Sequence, residues 1–175
     1  MTGGNRRVDR IQDPSYLADL TKRPLPDVRK MRAEVEEEEA LLSYERRLLQ
    51  ARIDILGAEK DRRSGKGGSI IDRLPQILAD EPRPSRGAIP RSEPPALENP
   101  RRRVEKLVSD DTLLQLPDLD ETAIDEMIAL LKQAEHEVSE QRRVVLDVLD
   151  SLTGEIGRRY ASGEANPEDV LAQGT

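Results

Sequence analysis

Two apolar stripes with a seven-residue spacing are the feature that most constrains the fold of this chain. Residues seven apart lie on one face of an α-helix, so each stripe predicts a long helix whose apolar seam packs against another helix. Each member of the second stripe follows its counterpart by 96 residues, which indicates a duplicated helix. The first stripe is Val28, Val35, Leu42, Leu49 and Leu56, and the second is Ile124, Leu131, Val138, Val145 and Leu152.

A polar pattern accompanies each apolar stripe at the same offset, in EALLSYERRLLQARID (39–54) and EHEVSEQRRVVLDVLD (135–150). An α-helix advances about 100° per residue, so the members of one pattern fall within one arc of roughly 80°. One such pattern is typical of a solvated helix face, but its repetition favours a binding surface. The first polar stripe is Glu39, Ser43, Arg46, Gln50 and Asp54, and the second is Glu135, Ser139, Arg142 and Asp150, with Leu146 in place of the glutamine.

The relative direction of the two predicted helices decides what the polar stripes can do together. In an antiparallel pair, a pseudo-two-fold axis would bring both polar stripes to the same side as one composite surface. In a parallel pair the stripes would lie on opposite sides. The long connection between the helices permits either arrangement, so the residues alone leave both open.

Local composition divides the chain into five segments. We predict an N-terminal arm (1–26), with disorder over 1–12 and a short helix in DPSYLADL, followed by a first coiled-coil helix (27–63) capped by Asp27. Six prolines between Asp80 and Pro100 predict a flexible linker (64–118). It begins with the flexible turn SGKGGS and contains short helical pieces in IIDRLPQIL and RRRVEKLV. A second coiled-coil helix (119–162), with Asp118 and Glu121 as a capping box, precedes a disordered tail (163–175).

The composition argues against an enzyme core. Aromatic residues make up 2% of the chain and charged residues 36%, which favours long amphipathic helices and connectors over a layered domain. The absence of cysteine and the single histidine, His136, exclude thiolate and multi-histidine metal sites. We therefore expect no catalytic residue and no metal.

Charge and hydropathy bound the partners and the compartment. A net charge of −7 disfavours direct DNA binding and favours a basic partner, which the acidic run Glu34 and 36–39 could attract. No apolar run is long enough to span a membrane, and the N-terminus lacks the apolar core of a signal peptide. The expected location is cytoplasmic.

The chemistry of the polar stripes narrows the ligand. Arginine offers a planar fork to phosphate oxygens or to the O6 and N7 edge of guanine. Aspartate and glutamate accept hydrogen bonds from paired N–H donors, which guanine presents at N1 and N2. A guanine nucleotide would use all of these groups.

The doubled E-x3-S-x2-R-x3-Q-x3-D pattern resembles the cyclic di-GMP-responsive anti-sigma factors of sporulating actinobacteria, the RsiG type. The resemblance covers the motif helices and the YLADL and RPLPDVRKMR lead-in. It implies an antiparallel coiled-coil hairpin that holds a cyclic di-GMP dimer and then sequesters a WhiG-like sigma factor of the flagellar or sporulation type. It implies no other cofactor.

The resemblance assigns the ligand-binding role residue by residue. By match, Glu39, Ser43, Arg46, Gln50, Asp54, Glu135, Ser139, Arg142 and Asp150 would bind cyclic di-GMP. Leu146 departs from the pattern and cannot make the hydrogen bonds of the glutamine, so the two half-sites should be unequal. The alternative is a structural coiled-coil adaptor whose polar stripes only face solvent, and a homodimeric coiled coil is a third arrangement.

Overall fold

The computed structural model describes residues 7–65 and 98–164, and it contains no strand within those ranges. Three short 3-10 turns lie in the lead-ins to the long helices, at Pro14–Leu17, Leu20–Lys22 and Leu116–Asp118. The predicted all-α fold with two long helices is confirmed. The α-helices are α1 (Arg7–Ile11), α2 (Leu25–Arg63), α3 (Glu98–Leu107), α4 (Asp110–Leu114) and α5 (Glu121–Ala161).

The chain divides into two compact units, the first drawn from Met1–Ala40 and Glu140–Thr175 and the second from Leu41–Ser139. Each long helix contributes one part to each unit. In the first unit, Arg32 donates to Thr153 at 3.2 Å and Arg142 to Glu39 at 2.9 Å. Moving along α2 from Arg32 to Glu39, the contacted residue on α5 moves back from Thr153 to Arg142. The two helices therefore run antiparallel.

The second unit shows the same direction of packing. Arg46 of α2 pairs with Glu135 of α5, and Lys60 of α2 pairs with Asp125. The numbers again run in opposite senses along the two helices. Antiparallel pairing, which the residues alone left open and the resemblance implied, is therefore found in each unit.

The ten residues of the two apolar stripes form the core between the long helices. None is more than 7% exposed, and most are completely buried. Burial of a leucine, isoleucine or valine side chain stabilises the fold by about 1.5–3 kcal/mol. The seam predicted from the seven-residue spacing is thus the contact that holds α2 against α5.

The N-terminal boundaries of the long helices differ slightly from those predicted. Helix α2 begins at Leu25, so Asp27 lies in its first turn and does not cap it. Proline lacks an N–H and is tolerated there, which lets Pro26 lie inside the helix. For α5 the cap is Asp120, whose side chain accepts from Ala123 N at 2.6 Å, and Asp118 belongs to a 3-10 turn.

Part of the arm predicted to be disordered is helical. Residues 7–11 form α1 because Val8 and Ile11 are buried, at 2% and 1% exposure. The two apolar residues are three apart and share a face, a pattern too short to stand out in the sequence. The DPSYLADL segment is a 3-10 turn in which Asp13 accepts from Ser15 N, so its predicted N-cap is confirmed.

The RRRVEKLV piece of the predicted linker is helical as far as Leu107, as expected, and forms most of α3. Val104 and Val108 are 0% and 2% exposed, so this segment belongs to the core of the second unit. Most of the proline-rich stretch, the SGKGGS glycines beyond Gly65, the IIDRLPQIL segment and the tail beyond Glu164 lie outside the described residues.

In the first unit, a buried arginine of α5 binds the segment that precedes α2, which we call the lead-in of α2 (residues 14–24). Arg159, near the end of α5, donates to the carbonyl oxygens of Leu20 and Arg23 at 2.8 and 2.7 Å. Its Nε donates to Glu155 at 2.7 Å, and Arg158 donates to the same carboxylate. Hydrogen bonds from Arg158 and then Arg159 lower the pKa of Glu155 from 4.5 to about 2.

The second unit contains the same set of hydrogen bonds, made by residues 96 positions away from those of the first unit. Arg63, at the end of α2, donates to the carbonyl oxygens of Leu116 and Leu119, the counterparts of Leu20 and Arg23. Its Nε donates to Glu59 at 2.7 Å, and hydrogen bonds from Arg62 and then Arg63 lower the pKa of Glu59 from 4.5 to about 2. The duplication therefore includes the lead-ins as well as the long helices.

The lowered pKa values of Glu59 and Glu155 predict that acid reduces the stability of the fold. Because their folded pKa lies below the ordinary value, their contribution to stability is complete above pH 4.5 and is lost as the pH falls toward 2. The double variant Glu59→Gln, Glu155→Gln should lose less stability than the parent between about pH 5 and about pH 3. Urea unfolding followed by circular dichroism measures this. The same pH dependence of stability in parent and double variant would show that these two carboxylates do not contribute as described.

Candidate functional site

The structure distributes the nine predicted ligand-binding residues over both units. Eight of them are half-buried, and Asp150 is exposed. Half-buried polar side chains on a helix surface can reach a ligand without unfolding. The first unit holds Glu39, Arg142 and Asp150, and the second holds Ser43, Arg46, Gln50, Asp54, Glu135 and Ser139.

In the second unit, an arginine and a serine converge on one glutamate. Arg46 of the first polar stripe approaches Glu135 of the second polar stripe, with 3.5 Å between Nη1 and Oε1. Ser139 donates to the same carboxylate oxygen at 2.9 Å. The Arg46 side chain remains 42% exposed, so its guanidinium faces solvent while the carboxylate restrains it.

In the first unit an arginine also pairs with a glutamate, but here the arginine comes from the second polar stripe and the glutamate from the first. Arg142 of the second polar stripe donates from Nε to Glu39 of the first at 2.9 Å, and its side chain is 35% exposed. Glu39 corresponds to Glu135, and Arg46 to Arg142. Each unit thus contains one arginine and one glutamate from opposite copies of the motif, a reciprocity that duplication in an antiparallel pair produces.

The end of each polar stripe differs between the copies. Gln50 donates to Asp54 at 3.0 Å, and Asp54 is half-buried. At the matching positions, Leu146 has no amide to donate, and Asp150 is exposed. The first copy therefore holds its aspartate with a side-chain hydrogen bond that the second copy cannot form.

This arrangement suits the binding of an anion that also carries hydrogen-bond donors. An arginine has five N–H donors, more than a single carboxylate oxygen accepts, so Arg46 retains donors for an anionic group. Charge-assisted hydrogen bonds of this kind are roughly twice as strong as neutral ones. Asp54 and Asp150 provide acceptors for N–H groups.

A row of buried charged residues in α2 escaped the sequence interpretation. Glu38, Glu45, Arg52 and Glu59 are spaced by seven, lie three positions after seam residues, and are each at most 8% exposed. Buried charges require partners, so this row predicts that other segments cover it. The regular spacing of charged residues beside the seam could have revealed it.

The short helices supply the partners of this charged row in the second unit. Arg52 donates to the Val108 carbonyl oxygen at 3.0 Å and pairs with Asp110 and Glu105. Arg103 of α3 pairs with Glu45. Helices α3 and α4 are therefore fixed onto α2 on a side other than the seam.

Residues 7–65 and 98–164 contain no group of histidine, aspartate and glutamate side chains that could hold a metal ion. In that part of the chain, no helix has both the length and the apolar character needed to cross a bilayer.

Comparison with known families supports the resemblance drawn from the sequence. Residues 14–78 match the family model described as RsiG-like. This segment includes the lead-in, α2 and the first polar stripe, whereas the second stripe lies beyond it. No curated protein matches the chain.

The separation of stripe and seam predicts different consequences of substitution. Leu49→Asp places a charge at a position that is 1% exposed and should reduce stability by at least about 3 kcal/mol. Arg46→Ala removes a long, half-exposed ion pair and should cost less than about 1 kcal/mol. Chemical unfolding of both variants measures this difference. Equal losses of stability in the two variants would show that the seam face and the stripe face of α2 are wrongly assigned.

Proposed function

We propose, from the RsiG-like segment at residues 14–78 and from the reciprocal arginine–glutamate pairs, that the chain is an anti-sigma factor controlled by cyclic di-GMP. A cyclic di-GMP dimer binds the duplicated polar stripes. The loaded protein then sequesters a sporulation-type sigma factor, acts in the cytoplasm and represses transcription. The chain itself does not bind DNA.

The reciprocal pairs carry the proposal. A purely structural coiled coil has no need for the same half-exposed arginine and glutamate in both copies. Exposed ion pairs of this kind contribute at most about 1 kcal/mol to stability, so the fold gains little from keeping two of them. A ligand with two-fold symmetry would make equivalent contacts with equivalent residues of the two copies.

In the proposed binding step, the arginines meet the anionic ligand and the carboxylates meet the guanine donors. The glutamates restrain the arginine side chains before the ligand arrives, which reduces the conformational entropy lost on binding. Arg47 and Arg143, both exposed, follow the motif arginines directly and add local positive charge to an acidic chain. These four arginines offset part of the repulsion between a protein of net charge −7 and the nucleotide.

Substitution of the motif arginines tests the ligand site. Arg46→Ala and Arg142→Ala should each weaken cyclic di-GMP binding by roughly tenfold or more, since a charge-assisted hydrogen bond contributes about 1.5–3 kcal/mol. Isothermal titration calorimetry measures the affinity, and circular dichroism checks that helicity is unchanged.

Arg32→Ala is the matched control for Arg46→Ala. Arg32 also lies on α2, its side chain is also 42% exposed, and it pairs with Glu36, but it is outside the motif. The control should bind normally. Normal binding by both motif variants would refute the site assignment, and an absence of binding by the parent chain would favour the structural adaptor.

The net charge also predicts cooperation between ligand and partner. A basic sigma factor would offset the remaining repulsion, so each should tighten binding of the other by the same factor, as linkage requires. Fluorescence anisotropy of a labelled sporulation-type sigma factor, with and without cyclic di-GMP, measures that factor. An identical sigma-factor affinity in the two conditions would exclude this mechanism even if the nucleotide binds.

A further inference from the structure

We infer that the sigma factor docks on an acidic surface of the second unit that is centred on Leu114, an inference that rests on the proposed function. The exposed residues that define this acidic surface are Asp111, Leu114, Asp118 and Glu126, contributed by α4, the following 3-10 turn and the start of α5. The occupant is a positively charged protein surface with an apolar pocket. Charge and exposed apolar area both point to this occupant.

The sequence around Leu114 is strongly acidic. Seven acidic residues lie between positions 110 and 126, and no lysine or arginine occurs from 107 to 131. Asp110 and Asp125 pair with cations of α2, and Asp120 caps α5. Within the described ranges, Asp111, Asp118 and Glu126 are exposed and join none of the ion pairs. These carboxylates present a negative field to a partner.

The corresponding segment of the other copy has the opposite charge. Residues 14–30 occupy the positions 96 residues earlier and contain four basic and two acidic residues. Their cations are used within the first unit, where Lys22 pairs with Asp19 and Arg29 lies over the Tyr160 ring. The shared fold therefore requires no acidic lead-in, and the acidity of residues 110–126 belongs to the second copy alone.

Two large apolar side chains are exposed in the same unit. Leu114 is 80% exposed and Leu130 is 44% exposed. Their counterparts in the first copy are Ala18 and Glu34. An exposed leucine among carboxylates gives a basic partner an apolar anchor, and such central anchors supply much of the energy of an interface. Acidic groups around the anchor would select a basic partner and speed its association.

The acidic run of α2 is a weaker candidate because the chain itself covers it. Arg10 pairs with Glu34, and Arg7 pairs with Glu37 at 3.0 Å and with Glu38 at 3.5 Å. Helix α1 is anchored by buried apolar residues, so these arginines are held in place. A basic partner would have to displace α1 to reach the run, whereas the acidic surface near Leu114 needs no such change.

Charge reversal tests the inference in the full-length chain loaded with cyclic di-GMP. The double variant Asp118→Lys, Glu126→Lys should weaken binding of a sporulation-type sigma factor at least tenfold at low salt. Asp27→Lys with Asp147→Lys, two exposed acidic residues of the first unit, changes the net charge equally and should bind within about twofold of the parent. Leu114→Ala should weaken binding about fivefold or more without altering the salt dependence.

Calorimetry with cyclic di-GMP separates the possible outcomes. Normal nucleotide binding by every variant, with sigma-factor binding lost only in the acidic-surface variants, supports the inference. Equal sigma-factor binding by parent and both double variants overturns the docking site but leaves the proposed function intact. No sigma-factor binding by the loaded parent chain overturns both. Self-association of the parent that Leu114→Ala abolishes would make this surface a contact between copies, which also overturns the docking site.

Discussion

Burial of two matching apolar seams is the interaction on which the rest of the structure depends. The seam residues of α2 and α5 are almost completely shielded from water, and they fix which faces of the two helices point outward. The polar stripes occupy the same angular position relative to the seam in both helices. Antiparallel packing of duplicated helices then pairs Arg46 with Glu135 and Arg142 with Glu39. The proposed ligand chemistry follows from this reciprocity.

The second level of organisation is electrostatic. Charged residues beside the seam of α2 are buried, and each requires a partner, because an unpaired buried charge costs several kcal/mol. Arg52 meets that requirement by binding α3 and α4, and the arginines at the ends of both long helices bind lead-in carbonyl oxygens. The short segments are therefore attached to the long helices by specific polar contacts and by apolar burial.

The sequence predicted the elements with strong periodicity and missed those that depend on tertiary contacts. Spacing by seven residues predicted α2, α5 and the ten residues of the two apolar stripes, but not Met31 and Val148, which are also buried. The residues before α2 identified the Asp13 cap. Helix α1 was missed because two buried residues, Val8 and Ile11, make no visible pattern. Asp120 was missed as the α5 cap because Asp118 completes the more familiar motif with Glu121.

For the candidate site, the sequence predicted which residues belong to the stripes but not their pairing. The exchange of arginine and glutamate partners requires the helix direction, which the residues left open. The hydrogen bond between Gln50 and Asp54 shows what the second copy lost at Leu146. Ligand and partner came from the resemblance, since no spacing argument can identify a sigma factor.

The number of nucleotides bound per chain tests the central claim most directly. Native mass spectrometry of the full-length protein with cyclic di-GMP should show one chain with two nucleotides, because a ligand dimer engages the two copies of the motif. The Arg46→Ala, Arg142→Ala double variant should lose that species. A parent chain that carries no nucleotide, or a double variant that still carries two, would contradict the account.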